Sequence, residues 1–151
     1  LAADVIEYRW VTHDDPYMVE ATDLRFEVLM APFGVSRDDN WGDSDPHSHH
    51  LVAVEYGRVI GYARLIVDSG SAQIRQVAVA FERQREGIGT TLLEESVRKA
   101  HELGLDPVFL NSRVHAEEFY RRLGFATVTA EPFPYGRTGM PHVRMEARRQ
   151  L

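Results

Sequence analysis

Apolar and polar residues alternate in "VIEYRWV", Val5 to Val11, and a period of two is the pattern of a half-buried strand. The period then changes. Tyr17, Ala21, Leu24 and Val28 recur by steps of four, three and four, which predicts a helix beginning near Pro16 and capped by Asp14 or Asp15. Periodicity disappears in "APFGVSRDDNWGDSDPHSHH", residues 31–50, which reads as a long loop with at most a short helical turn. Strand patterns return in "HLVAVEY", "RVIGYARLIVD" and "AQIRQVAVA", separated by glycine turns and together predicting an antiparallel meander. Ile88, Leu92, Val97, Ala100 and Leu103 then define the apolar face of a helix closed by Gly104, with Glu94–Arg98 and Glu95–Lys99 placed for outward pairs. "PVFLNSR" predicts a buried strand, "HAEEFYRRLG" a short helix stopped by Gly124, and "FATVTA" and "HVRMEA" two final strands. The sum is an α+β fold expected to form a single domain over residues 1–151.

Composition narrows the partners more than the fold. The chain has 151 residues, 44% of them hydrophobic, enough for one core. Asp plus Glu number 23 against 17 Lys plus Arg, a formal charge of -6, which argues against nucleic acid or an anionic membrane as partner. The absence of cysteine excludes disulfides, thiolate metal sites and a cysteine nucleophile. Apolar runs are strand-sized, far below the roughly 20 residues of a membrane span, and the start shows no secretory pattern. A cytoplasmic protein is expected, although beginning at Leu1 points to an incomplete N-terminus.

The chemistry concentrates in "FERQREGIGTTLLEES", Phe81 to Ser96, where two glycines stand between a strand and a helix. A helix start leaves four backbone NH groups unpaired and carries about half a positive charge, and glycine lets a ligand approach the main chain closely. With Arg83 and Arg85 nearby, a pyrophosphate fits better than a carboxylate. A tight turn without a ligand would use the same glycines. Two other phosphate motifs fail. A Walker loop needs lysine after Gly89, where Thr90 stands, and a dinucleotide fingerprint needs glycine at Leu92.

The spacing Gln84, Arg85, Glu86, Gly87, Ile88, Gly89 resembles the pyrophosphate loop of the GNAT superfamily of acetyl-coenzyme A-dependent N-acyltransferases. "QIRQVAVA" resembles the family's strand before the loop, "TLLEESVRKAHELG" its helix, and "AEEFYRRLGF" its Phe-Tyr, Leu-Gly-Phe segment, all in the family's order. The likeness runs from about Asp23 to Met145, and "GMPHVRM" and "HLVAV" resemble an ElaA-like bacterial branch.

The resemblance implies a mostly antiparallel mixed sheet with helices on both faces and a V-shaped splay between the fourth and fifth strands. It implies that acetyl-CoA lies in the splay, its arm against the backbone of Val77 and Val79 and its pyrophosphate on the amides from Arg85 to Thr90. The amine acceptor would attack directly in a ternary complex, with Tyr120 protonating the leaving thiolate. Asn111 and Arg113 are further coenzyme candidates, Arg113 standing where many relatives carry asparagine. The family's strand glutamate is replaced by Gln73, Arg75 and Gln76, so the base is open among Glu27, Asp43, Asp45, His47, His49 and His50. His115 resembles a histidine of the ElaA-like pattern, with capping or packing its expected role. Glu27, Asp45, His49 and His142 are expected in an acceptor pocket whose negative charge would suit a cationic amine. A homodimer is left open by the resemblance. Two other classes compete: a catalytically silent acyl-CoA sensor, and a metal-binding protein using "DSDPHSHH", Asp43 to His50. That segment lacks any recognised ligand spacing, so no metal is expected.

Overall fold

A computed structural model of the chain describes residues 5–37 and 45–147. Eight strands form one sheet: β1 (Glu7–Val11), β2 (His49–Glu55), β3 (Arg58–Asp68), β4 (Ser71–Val79), β5 (Val108–Arg113), β6 (Phe125–Thr127), β7 (Phe133–Tyr135) and β8 (Met140–Ala147). Their order is β1-β2-β3-β4-β5-β8-β6, with β7 paired to β8. Every pairing is antiparallel except β4 with β5.

Helices cover both faces. Helix α1 (Tyr17–Arg25) starts where Asp15 Oδ1 accepts the Tyr17 amide at 2.9 Å, and it continues into a π-helical turn, Phe26–Met30. Its Met18, Ala21 and Leu24 pack on Val52, Val54, Tyr62 and Ala78, one of three apolar clusters. Arg25, also on the inward side, is fully buried, a position the apolar spacing did not predict. Helix α2 (Ile88–Glu102) buries Ile88, Leu92, Leu93, Ser96 and Ala100 against the opposite face. It rests closely on β3 because Gly61 has no side chain: a Cβ there would lie 3.0 Å from Ile88 Cγ2 and 3.1 Å from Leu92 Cδ1. Leu103, expected on the buried face, lies past the helix end and is exposed. The expected outward pairs also differ, since Arg98 bridges Glu95 and Glu102. Helix α3 (Glu117–Arg122) lies on the α2 side, where Tyr120 and Leu123 pack on the cluster containing Leu110, Phe125 and Val143.

Strand β7 is the element the sequence pattern missed. It is three residues long with Pro134 at its centre, tolerable at a sheet edge and too short to show a period. The hairpin turn through Gly136 and Gly139 was its only signal.

Candidate active site

The seam between β4 and β5 opens almost at once. The strands pair at Ala72–Val108 and Gln73–Phe109, and no further residue of β4 has a partner in β5. This is the expected V-shaped splay. Beside it, the β3–β4 register shifts between Tyr62 and Arg64, and Gln76 adopts a positive φ of 55°. The extra residue reverses which backbone groups face which neighbour. The Ala72 amide points toward β5, donating to Pro107 at 3.0 Å, whereas the Ala80 amide, eight residues on, donates to Ile60 of β3 at 2.9 Å. Odd-numbered Val77 and Val79 therefore direct their amides into the open seam. Without the bulge their neighbours would.

Buried side chains hold the bulge. Arg25 Nη1 donates to Gln76 Oε1 at 2.9 Å, its guanidinium lies 4.6 Å from the Tyr62 ring centroid, and Tyr62 Oη is hydrogen-bonded to His50 Nδ1. Arg25, Tyr62 and His50 are all fully buried. His50 is thus a packing partner of Tyr62 on the α1 side.

The glycine turn continues from β4. Gln84 Nε2 donates to the Val79 carbonyl at 3.0 Å, tying the turn to the strand end. Arg85 and Gly87 have positive φ values of 68° and 86°, and α2 begins at Ile88. Its first helical bond is from the Thr91 amide to the Gly87 carbonyl, 3.1 Å, so the amides of Ile88, Gly89 and Thr90 have no acceptor within the helix. A Cβ at Gly87 would meet nothing within 4 Å, so only its φ requires glycine of the protein itself. The arginines divide. Arg83 donates from Nε to both Glu86 oxygens at 3.1 Å and from its Nη atoms to Glu55, which raises its already high pKa. Arg85 is exposed and makes no ion pair among the described residues.

A cleft of about 320 Å³ occupies the splay. Val77, Asn111, Arg113, Tyr120 and His142 line it, so five of the expected residues meet there. Val79 and Gln84 to Thr90 form the turn beyond its wall. Glu27 is exposed and outside the lining. His49 faces α2 rather than the cleft: its ring meets Trp10 edge-on at 6.4 Å, and burial first, then the Lys99 ammonium, lowers its pKa. Asp43 lies outside the described residues, and Asp45 starts a short 3-10 turn ending at His47. His115 is exposed. Among the described residues no three His, Cys, Asp or Glu side chains group to hold a metal ion.

Tyr120 is half-buried, with Phe119 and Phe125 edge-on to its ring at centroid distances of 5.2 and 6.0 Å. Burial raises its phenol pKa, and nearby Arg113 lowers it by less. The phenol keeps its proton at neutral pH. On the other wall, Tyr135 accepts from Gln73 Nε2 at 2.9 Å, lies under the Arg75 guanidinium at 5.0 Å, and meets the His142 ring at 5.2 Å. Tyr135 was not predicted because it sits on β7. The His142 Nδ1 to Met140 carbonyl distance is 2.6 Å, and since a carbonyl only accepts, Nδ1 carries the proton and Nε2 the lone pair.

A splayed sheet, a glycine turn with unpaired amides and a tyrosine in the open seam together define an acyltransferase of the GNAT kind. Residues 36–149 match the acetyltransferase (GNAT) domain family, and the chain belongs to it. The uncharacterized N-acetyltransferase YjcF of Bacillus subtilis is 20% identical over 135 residues, 89% of this chain and 95% of that protein. The crystal structure of Escherichia coli ElaA superposes with a TM-score of 0.79 at 22% identity, covering 94% of this chain and 99% of ElaA. An acyl-CoA N-acyltransferase from Pseudomonas aeruginosa gives 0.77 at 27% identity, covering 95% and 100%. Among the described residues no helix is long and apolar enough to cross a membrane.

Proposed function

We propose that the protein is an N-acetyltransferase that moves the acetyl group of acetyl-CoA to a primary amine by direct attack in a ternary complex. The observation that carries this reading is the bulge-directed pair of amides, Val77 and Val79, facing the same open seam as the Tyr120 phenol. The coenzyme's arm adds to the edge of β4 as a strand would, and its diphosphate meets the amides of Ile88, Gly89 and Thr90. An amide of Val77 or Val79 then stabilises the oxyanion formed when the amine adds to the thioester carbonyl. Collapse of that intermediate breaks the carbon–sulfur bond, and the second proton lost by the nitrogen replaces the one that Tyr120 gives to sulfur.

Tyr120 serves the departing sulfur. Its raised pKa makes it a weak acid, so its strongest contribution is a hydrogen bond that tightens as charge grows on sulfur, with proton transfer completed as the thiol forms. The amine must first lose a proton. Among the described lining residues His142 is suited to take it, since Nε2 holds the lone pair and Nδ1 is fixed on the Met140 carbonyl.

The test is thiol release from acetyl-CoA against a panel of primary amines. Amine-dependent release that falls about a hundredfold in His142→Gln, with acetyl-CoA affinity within twofold of wild type, is the expected result. Coenzyme binding without transfer to any amine would favour a sensor instead.

A further inference from the structure

Among the described residues, the wall of the cleft opposite Tyr120 carries cations and no carboxylate. On the α1 face of the splay lie Gln73, Arg75 and Gln76 of β4, Asn111 and Arg113 of β5, and Tyr135 and His142 of the β7–β8 hairpin. Among the described residues no Asp or Glu lines this space. Of the carboxylates expected there, Glu27 is exposed and outside the lining, and Asp43 lies outside the described residues.

Arg75 and Arg113 are the informative pair. Both are half-buried, and each guanidinium lies over an aromatic ring, Arg75 over Tyr135 at 5.0 Å and Arg113 over Phe33 at 4.1 Å. Neither makes a salt bridge or a side-chain hydrogen bond among the described residues. By contrast, Arg58, Arg83, Arg98, Arg121 and Arg144 each hold a carboxylate, and Arg85, which does not, is exposed outside the cleft. An aromatic ring fixes the plane of a guanidinium but accepts none of its in-plane NH groups. Two forks so held, in a cleft within an acidic protein, form a receptor for an anion.

We infer that the acceptor is an amine that also carries an anionic group, a carboxylate or a phosphate, which Arg75 and Arg113 hold while the amino group reaches the thioester beside Tyr120. This rests on the acetyl-transfer reading above. A bidentate contact from guanidinium to carboxylate or phosphate would set the acceptor's orientation, and Asn111 and Gln73 offer neutral donors beside it. The same pocket disfavours polyamines through like-charge repulsion with both arginines.

Matched pairs test the assignment: L-phenylalanine against 2-phenylethylamine, L-lysine against cadaverine, and glucosamine 6-phosphate against glucosamine. Each is assayed for acetyl-CoA-dependent thiol release, and its binding to CoA-saturated protein is measured by calorimetry. In at least one pair the anionic member is preferred at least about tenfold, and Arg75→Met or Arg113→Met removes the preference while leaving acetyl-CoA affinity within about twofold. The pair in which the preference appears separates carboxylate from phosphate. Equal or better use and binding of the non-anionic partners in all three pairs overturns the inference. So does an arginine loss that falls on acetyl-CoA affinity, which would assign these side chains to the coenzyme. Failure of the acetyl-transfer reading looks different, because then no member of any pair elicits thiol release, whether or not acetyl-CoA binds.

Discussion

At the α2 end of the cleft Arg83 is engaged with Glu55 and Glu86, and Gln84 holds the Val79 carbonyl. Apart from the exposed Arg85, what the turn leaves unpaired there is backbone. At the β7 end the reverse holds: the backbone is paired in the β7–β8 and β5–β8 ladders, and the groups left to act are side chains, Arg75, Arg113, Tyr135 and His142. On the proposed reading the coenzyme end would recognise a constant partner through main-chain geometry, tolerant of residue identity apart from glycine. The acceptor end would recognise its partner through chemistry that substitution changes.

That contrast can be broken most directly at Tyr120, which stands between the two ends. Tyr120→Phe lowers kcat about a thousandfold, within the range for loss of a positioned proton donor, and leaves the acetyl-CoA Kd within twofold. An equal loss in both would make Tyr120 a packing residue. Its titration sharpens the point, because burial raises the phenol pKa above the usual value near 10. The protonated form is therefore the working form at neutral pH, and any loss of kcat from Tyr120 ionisation sets in above the range of an ordinary tyrosine. An alkaline decline centred near pH 8 that vanishes in Tyr120→Phe would contradict the assignment.

The coenzyme end is probed by Gly87→Glu, which places a side chain at φ 86° and a carboxylate beside the diphosphate. Acetyl-CoA affinity falls about a hundredfold by calorimetry, the size expected for losing charge-assisted hydrogen bonds. Undiminished affinity would remove the loop from the binding site. The smallest effects distinguish the two arginines. Arg85→Met weakens acetyl-CoA binding severalfold, and less so in high salt, as for an exposed cation near a phosphate. Arg83→Met shows itself as a lower Tm with little change in affinity, because its partners are protein carboxylates.

The two ends also differ in how much of them could be read from the sequence. The turn at Gln84 to Gly89 was legible because glycine spacing encodes backbone conformation directly, and the helix and strands around it follow from simple periods. The buried strand "PVFLNSR" and the helix carrying Tyr120 were legible for the same reason. The acceptor end was legible only in part, since Asn111, Arg113 and His142 were expected and line the cleft while other residues were not foreseen. Tyr135 sits on a three-residue strand with a central proline, Arg25 is a charged residue on a buried helix face, and His50 turns to Tyr62 while His49 turns to α2. Each depends on pairing between distant segments, which local spacing does not carry. Of the base candidates, His49 and His50 illustrate this, since adjacent residues of one strand face opposite sides of the sheet.

The account stands on the backbone amides of the α2 turn holding a diphosphate, so the most direct measurement compares ligands that keep or lack it. Calorimetric titration with acetyl-CoA and with acetyl-pantetheine, which keeps the arm and thioester but lacks the diphosphate and phosphoadenosine, measures that half of the coenzyme, and repeating it in Gly87→Glu apportions the part held by the turn. The account predicts that acetyl-CoA binds at least about a hundredfold more tightly. Equal affinity for the two, or no binding of acetyl-CoA, would contradict it.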